Sequence, residues 1–143
     1  MILAIDPGSA KTGVAFVEED GHCPMKLILP TEALETELSK LLPVNFPRVV
    51  VMGNGTHHRK IQERMEIFLR KENLDIPVEI VDEKHTTEMG EARWKQDHPG
   101  KGLARFLPDG LRSPGEPVDD YVAWILGQIY LGRIKTEDVK YKK

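Results

Sequence analysis

The sequence predicts an α/β domain with a mixed five-stranded sheet flanked by helices, and three observations carry that expectation. Residues 1–29 contain three apolar or β-branched runs joined by short turns, the pattern of an antiparallel meander. From Thr31 onward the apolar spacing becomes helical and then alternates with two further strand-like runs. One of these, 48–52, is continuously β-branched and apolar after its first residue, as suits a strand covered on both faces, so a parallel pairing in the sheet centre is expected.

Taken in order, residues 1–5 form a first strand that ends at Asp6-Pro7-Gly8. Residues 12–17 form a second, closed by Glu18-Glu19-Asp20-Gly21, and 23–29 a third that includes Cys23 as a buried thiol. Thr31 is placed to cap a first helix carrying Ala33, Leu34, Leu38, Leu41 and Leu42 on one face, and Pro43 stops it. After strand 48–52 comes the tight loop Gly53-Asn54-Gly55-Thr56, whose Thr56 is placed to cap a second helix with Ile61, Met65, Phe68 and Leu69 inward. A fifth strand spans 78–81 and a short helix 86–96. Residues 97–117, rich in Pro, Gly and basic groups, read as a mobile loop within the domain. Residues 118–131 are apolar on nearly every side, as in a helix packed into the body of the protein, and the basic tail beyond Arg133 reads as exposed.

The 143 residues suit a single domain spanning 1–143. With 40% hydrophobic and 30% charged residues the chain has the composition of a folding, water-soluble protein. Cys23 is the only cysteine, so no internal disulfide is available and a reducing compartment is the better match. No apolar run approaches the ~18 residues needed to span a bilayer, and Asp6 interrupts the first run too early for a signal peptide, so a cytoplasmic protein is expected. A formal net charge of -3 argues against gripping nucleic acid by bulk charge, though basic groups gather at 57–60, 95–112 and 140–143.

Three acidic segments could carry chemistry. Asp6 ends a strand and is followed by Gly8 and Gly13, which would let a phosphate backbone approach, although Asp-Pro-Gly is also an ordinary turn. The spacing also resembles the phosphate loop of actin-like ATPases, but those need two such domains to enclose a nucleotide. In 81–87 either Asp82 or Glu83 could turn toward the strand end, and either Asp82 or Thr86 could instead cap the next helix. Asp119 continues the helical face of Val122, Ala123, Leu126, Ile129 and Tyr130, while Asp120 shares a neighbouring face with Trp124 and Gly127. Glu116, one turn earlier, is either a fourth carboxylate or the end of a Ser113–Glu116 capping box. Clustered carboxylates are costly without a cation, and hard oxygen donors select magnesium or manganese.

The succession strand-strand-strand-helix-strand-helix-strand-helix is similar to that of the RNase H-like fold, which implies sheet order 3-2-1-4-5 with strand 2 antiparallel. In that order the crevice at the carboxyl ends of strands 1 and 4 is the expected site. Ile5-Asp6-Pro7-Gly8-Ser9-Ala10-Lys11-Thr12-Gly13-Val14-Ala15, Asp82-Glu83-Lys84-His85-Thr86-Thr87 and Val118-Asp119-Asp120-Tyr121-Val122-Ala123 resemble, in order, three landmarks of the YqgF/RuvX family. The resemblance runs from Ile2 to about Leu131 and implies that Asp6, Glu83 and Asp119 are the acids shared with RuvC-type resolvases, choosing Glu83 over Asp82. It implies a Mg2+- or Mn2+-dependent nuclease, acting in pre-16S ribosomal RNA end maturation or as a Holliday junction resolvase, with RNA or branched DNA as partner and a monomer or homodimer as working unit. Lys84 replaces a customary Arg, His85 replaces an apolar residue, and 97–117 is expanded. The Gly53-Asn54-Gly55-Thr56 loop is similar to that of the YqgF-like domain of the Tex transcription accessory protein, which implies the alternative of a noncatalytic RNA-binding module. Gly8, Lys11, Asn54, Lys84 and Arg112 are candidate phosphate contacts, with Arg93 and Arg105 as further basic candidates. His85 is a candidate proton-transfer group, and His57 and His58 are either phosphate contacts or exposed helix-start residues.

Overall fold

The computed structural model of the chain describes residues 1–55, 57–82, 92 and 119–132. Five strands, β1 (Ile2–Asp6), β2 (Lys11–Val17), β3 (Met25–Pro30), β4 (Val50–Gly53) and β5 (Val78–Val81), form one sheet in the order β3-β2-β1-β4-β5. The pairs β1–β2 and β2–β3 are antiparallel, whereas β1–β4 and β4–β5 are parallel. Helix α1 (Leu34–Leu41) follows a 3-10 turn at Thr31–Ala33, α2 (His58–Lys71) links β4 to β5, and α3 (Asp119–Tyr130) comes last among the described residues.

Period-two alternation distributes the sheet residues between two cores. Leu3, Ile5, Val14, Phe16, Val50 and Met52 face α1 and α2, meeting Leu34, Leu38, Ile61, Met65, Phe68 and Leu69. Ile2, Ala4, Ala15, Val17, Val49 and Val51 face the other way, onto Val122, Ala123 and Leu126 of α3. Burial of each such large aliphatic side chain stabilises by roughly 1.5–3 kcal/mol, enough for the strand alternation to fix register. Because β4 is covered on both faces, all four of its residues are buried, as its unbroken apolar run predicts.

Several local expectations are corrected. The third strand begins at Met25 rather than at 23, since Phe16↔Met25 is the last pair of the β2–β3 ladder. Cys23 therefore lies in the preceding turn and is only partly buried, with its thiol donating to Met25 O at 3.2 Å. Thr31 does not cap α1; its hydroxyl is spent on Gly8 O, and the helix proper starts three residues later without a side-chain cap. Thr56 lies outside the described residues, and the N-cap position of α2 belongs to His57, again without a side-chain cap bond. Gly13 sits inside β2, within the expected strand 12–17, whereas Gly127, expected beside the sheet-facing stripe of α3, sits on it. A Cβ at Gly127 would stand 2.8 Å from Val17 Cγ2, so the missing side chain lets α3 approach β1 and β2 closely. The expected helix 86–96, apart from the single described residue Ala92, the loop 97–117 and the tail beyond 132 lie outside the described residues. No helix among the described residues is long and apolar enough to cross a membrane.

Candidate functional site

Asp6 is the last residue of β1, and alternation puts it on the Ile2–Ala4 side of the sheet, the side covered by α3. Across the antiparallel ladder it is paired with Gly13. On the parallel side the ladder reaches Ile5↔Met52, so the next residue of β4 beyond that pair is Gly53. Asp6 thus has side-chain-free neighbours on both flanks. On the β2 flank the space is filled by a backbone: a Cβ on Gly13 would stand 1.9 Å from the carbonyl oxygen of Asp119 and 3.0 Å from the nitrogen of Asp120. The first turn of α3 is therefore seated on Gly13, bringing Asp119 to the end of the sheet where Asp6 lies.

Asp119 is half-buried, and its carboxyl is pushed above the ordinary carboxylate range. Burial is the main cause, repulsion from Asp120 adds to it, and the Lys11 ammonium partly offsets both. Lys11 is exposed and lies two residues before Gly13 on the same face of β2. Its position puts the candidate phosphate contact beside the carboxylates.

The loop between Asp6 and Lys11 is held from below. The amide of Gly8 donates to Thr12 Oγ1 at 3.4 Å, the hydroxyls of Thr12 and Thr31 meet at 2.8 Å, and the Thr31 hydroxyl donates to Gly8 O at 2.8 Å. With the single proton of Thr31 committed to Gly8, Thr12 must donate to Thr31, which closes a ring of three bonds. Thr31 N also donates to Ala10 O at 2.9 Å. The shape of the loop demands Gly8, since a Cβ there would lie 2.1 Å from Lys11 O. Arg64 of α2 extends the network by donating from Nη2 to Thr31 O at 2.7 Å and pairing through Nε and Nη2 with the two carboxylate oxygens of Glu35 of α1. Thr12, Thr31 and Arg64 were not among the residues expected to shape the site. The only sequence signal was two threonines at strand ends, which reads equally well as β-propensity and capping.

Asn54 follows β4 at the neighbouring strand end, its amide donating to Val81 O at 3.1 Å, which extends the β4–β5 ladder. His57 is exposed, and His58 is half-buried with Nδ1 2.7 Å from Gly55 O. In β5, Val81 joins the α3-side core. Among the described residues no three His, Cys, Asp or Glu side chains gather into a metal-binding group. Glu83, Lys84, His85, Arg93, Arg105, Arg112 and Glu116 lie outside the described residues, so Asp6, Asp119, Gly8, Lys11 and Asn54 are the expected site residues that the structure places.

No family model matches the sequence, and no curated protein matches it. Among solved structures, a resolvase from Fowlpox virus, determined with its substrate Holliday junction DNA, is similar over 92% of this chain and 97% of that chain, with TM-score 0.60 and 15% sequence identity. A ROK family protein from Streptococcus pneumoniae TIGR4, determined in complex with sucrose, aligns with 68% of this chain and 38% of that one at TM-score 0.41 and 17% identity, too slight a likeness for a structural inference. The mixed sheet in the order β3-β2-β1-β4-β5, its flanking helices and the structural similarity to the viral protein together make this an RNase H-like fold.

Proposed function

We propose that the protein is a divalent-cation-dependent nuclease that hydrolyses phosphodiester bonds in structured nucleic acid. The observation that carries this reading is the seating of Asp119 on Gly13, the residue paired with Asp6, which gathers two carboxylates at the carboxyl end of β1. The donor chemistry fits a hard cation: both groups offer oxygen only, and the burial that disfavours the Asp119 anion is a cost that a bound Mg2+ or Mn2+ would offset. Asp6, Glu83 and Asp119 would hold the cation, with Glu116 as a further ligand. The family resemblance supports Glu83.

When bound, such a cation supplies charge stabilisation at the phosphoryl oxygens and makes water a better nucleophile at neutral pH. The chain's own groups do the remaining work. Asp6 and Asp119 fix the place where negative charge is neutralised, the threonine ring keeps the Asp6–Lys11 loop in one shape, and Lys11 attracts the phosphate backbone. His85 is the candidate for moving a proton at the leaving oxygen.

The resemblance to the YqgF/RuvX family supports pre-16S ribosomal RNA as substrate. The fold similarity to the viral resolvase favours a second substrate, a four-way DNA junction, for which two copies of the chain would be needed to cut opposed strands. Purified wild type and Asp6→Asn should be incubated with precursor ribosomal RNA, single-stranded RNA and a four-way junction, each with Mg2+ and with Mn2+. Cation-dependent cleavage by wild type and a loss of about a hundredfold or more in the variant are expected, the scale on which single transition-state groups contribute. Equal cleavage by both proteins would overturn the proposal, and RNA affinity without any cleavage would establish the noncatalytic binding module instead.

A further inference from the structure

A second lysine shares the α3 side of the sheet with Lys11. In the β2–β3 register Lys11 is opposite Pro30 and Lys26 opposite Ala15, whose side chain belongs to the α3-side core. Lys26 therefore stands on the same face as Asp6, Gly13 and Lys11, on the edge strand of the sheet. Its ammonium lies 4.5 Å from the ring centroid of Tyr121 and 6.0 Å from that of Trp124, the residues two and five positions after Asp119. The two rings are themselves in contact, with centroids 6.3 Å apart, and Trp124 is anchored by donating from Nε1 to Gly21 O at 2.8 Å. Among the described residues neither Lys11 nor Lys26 takes part in a salt bridge. The aromatic pair holds the Lys26 cation in place without neutralising it.

We infer that Lys11 and Lys26 form a phosphate track that leads a nucleic-acid backbone from the Asp6–Asp119 end of the sheet across its β2–β3 edge, with Tyr121 and Trp124 fixing the position of Lys26. The inference rests on the nuclease reading of the site and adds the direction in which substrate leaves it. Four residues of strand rise and one inter-strand step separate the two lysines, about 14 Å between Cα atoms. A duplex rising ~3.4 Å per nucleotide covers that distance in about four nucleotides, so two phosphates of one backbone can meet both ammonium groups. Asp120 lies nearby, since its charge and that of Lys26 both reach the Cys23 thiol and act on it in opposite directions, so the track runs beside an acidic group; phosphate contacts of this kind weaken with salt.

The experiment measures binding of the full chain to a labelled four-way DNA junction and to a labelled RNA hairpin, without divalent cation, across a series of KCl concentrations. Each lysine that contacts a phosphate contributes about one unit to the slope of log affinity against log salt. Lys26→Met is expected to bind about three- to tenfold more weakly at fixed salt and to lose about one unit of slope, and Lys26→Arg, which keeps charge and stacking, to retain the slope. Lys11→Met, at an exposed position, should lose about one further unit and carries the test if Lys26→Met fails to fold. A reduced slope with one probe alone supports the track and identifies the nucleic acid that follows it. An unchanged slope in both methionine variants overturns the track, as does a Lys26→Arg protein as impaired as Lys26→Met. Cleavage of the same probes with Mn2+ by wild type and Asp6→Asn is scored separately. Cleavage lost in Asp6→Asn with slopes intact removes the track and leaves the nuclease, reduced slopes without any cleavage do the reverse, and a wild type with no affinity for either probe removes both.

Discussion

Gly13 and Asp119 touch through their backbones: a Cβ added to Gly13 would stand 1.9 Å from the Asp119 carbonyl oxygen. Since Gly13 is also the ladder partner of Asp6, one missing side chain determines how near the first turn of α3 comes to the end of β1. A glycine inside a strand ordinarily weakens it, and here the close approach of another backbone accounts for it. Gly13→Ala is accordingly expected to lift α3 at its first turn. The cost should be about 1–3 kcal/mol, read from the shift of a urea midpoint at constant slope. Nuclease turnover should fall at least about tenfold, because displacements near 1 Å at a reacting centre already cost more than that. A variant with the wild-type midpoint and turnover would show that the contact does not position Asp119.

Asp119 itself is expected to oppose stability when no cation is present, because burial and the neighbouring Asp120 both disfavour its ionised form. In chelator at neutral pH, Asp119→Asn should melt no lower than wild type. Added Mn2+ should raise the melting temperature of wild type by binding the folded state and leave the variant unmoved. Thermal scans with and without the metal check both statements, and equal Mn2+ stabilisation of the two proteins would remove Asp119 from the ligand set.

The hydroxyl ring beneath the Asp6–Lys11 loop predicts coupling between Thr12 and Thr31. Thr31→Val removes the partly buried donor to Gly8 O and the buried partner of Thr12, and should cost about 1–3 kcal/mol. Thr12→Val should cost a similar amount, and the double variant clearly less than the sum, since the second change removes a group the first has already orphaned. Urea denaturation of the four proteins gives the coupling. Strict additivity would mean that the two hydroxyls act separately.

At the opposite end of the sheet, Glu19 accepts two bonds from Arg48, at 2.8 and 2.9 Å, and one from the Met1 amino group at 2.8 Å. Arg48 is the main reason that its carboxyl falls from the usual 4.5 to about 2. A carboxyl whose folded-state pKa is lowered adds stability above its unfolded pKa and loses it as pH falls through the folded value. The contribution of Glu19 should therefore be complete above pH 4.5 and decline toward pH 2. Glu19→Gln should show a flatter acid limb over that window, and the difference should shrink in high salt because the pairs are exposed. Parallel melting curves against pH provide the check, with identical acid limbs as the contrary result.

Much of this architecture is written in local sequence. The alternation in β1 and β2, the unbroken apolar run of β4 and the stripe Ile61, Met65, Phe68 and Leu69 on α2 each specify an element and its buried side from neighbours a few residues away. The position of Asp6 at a strand end was equally legible, since the Pro-Gly that follows it cannot prolong the strand. Tertiary structure alone decided the rest. Gly13 and Gly127 have no side chain to contribute to a periodic pattern, so their role emerges only when α3 descends onto β2. Thr31 has one hydroxyl proton, and whether it caps a helix or bonds elsewhere depends on which acceptor arrives; here that is Gly8 O, 23 residues away. Lys26 reads in sequence as a solvated charge and becomes a fixed cation only because Tyr121 and Trp124 come to lie beneath it. Periodicity records which side of an element is apolar, whereas a site depends on which backbones and side chains meet across nearly the whole length of the chain, and only packing supplies that information.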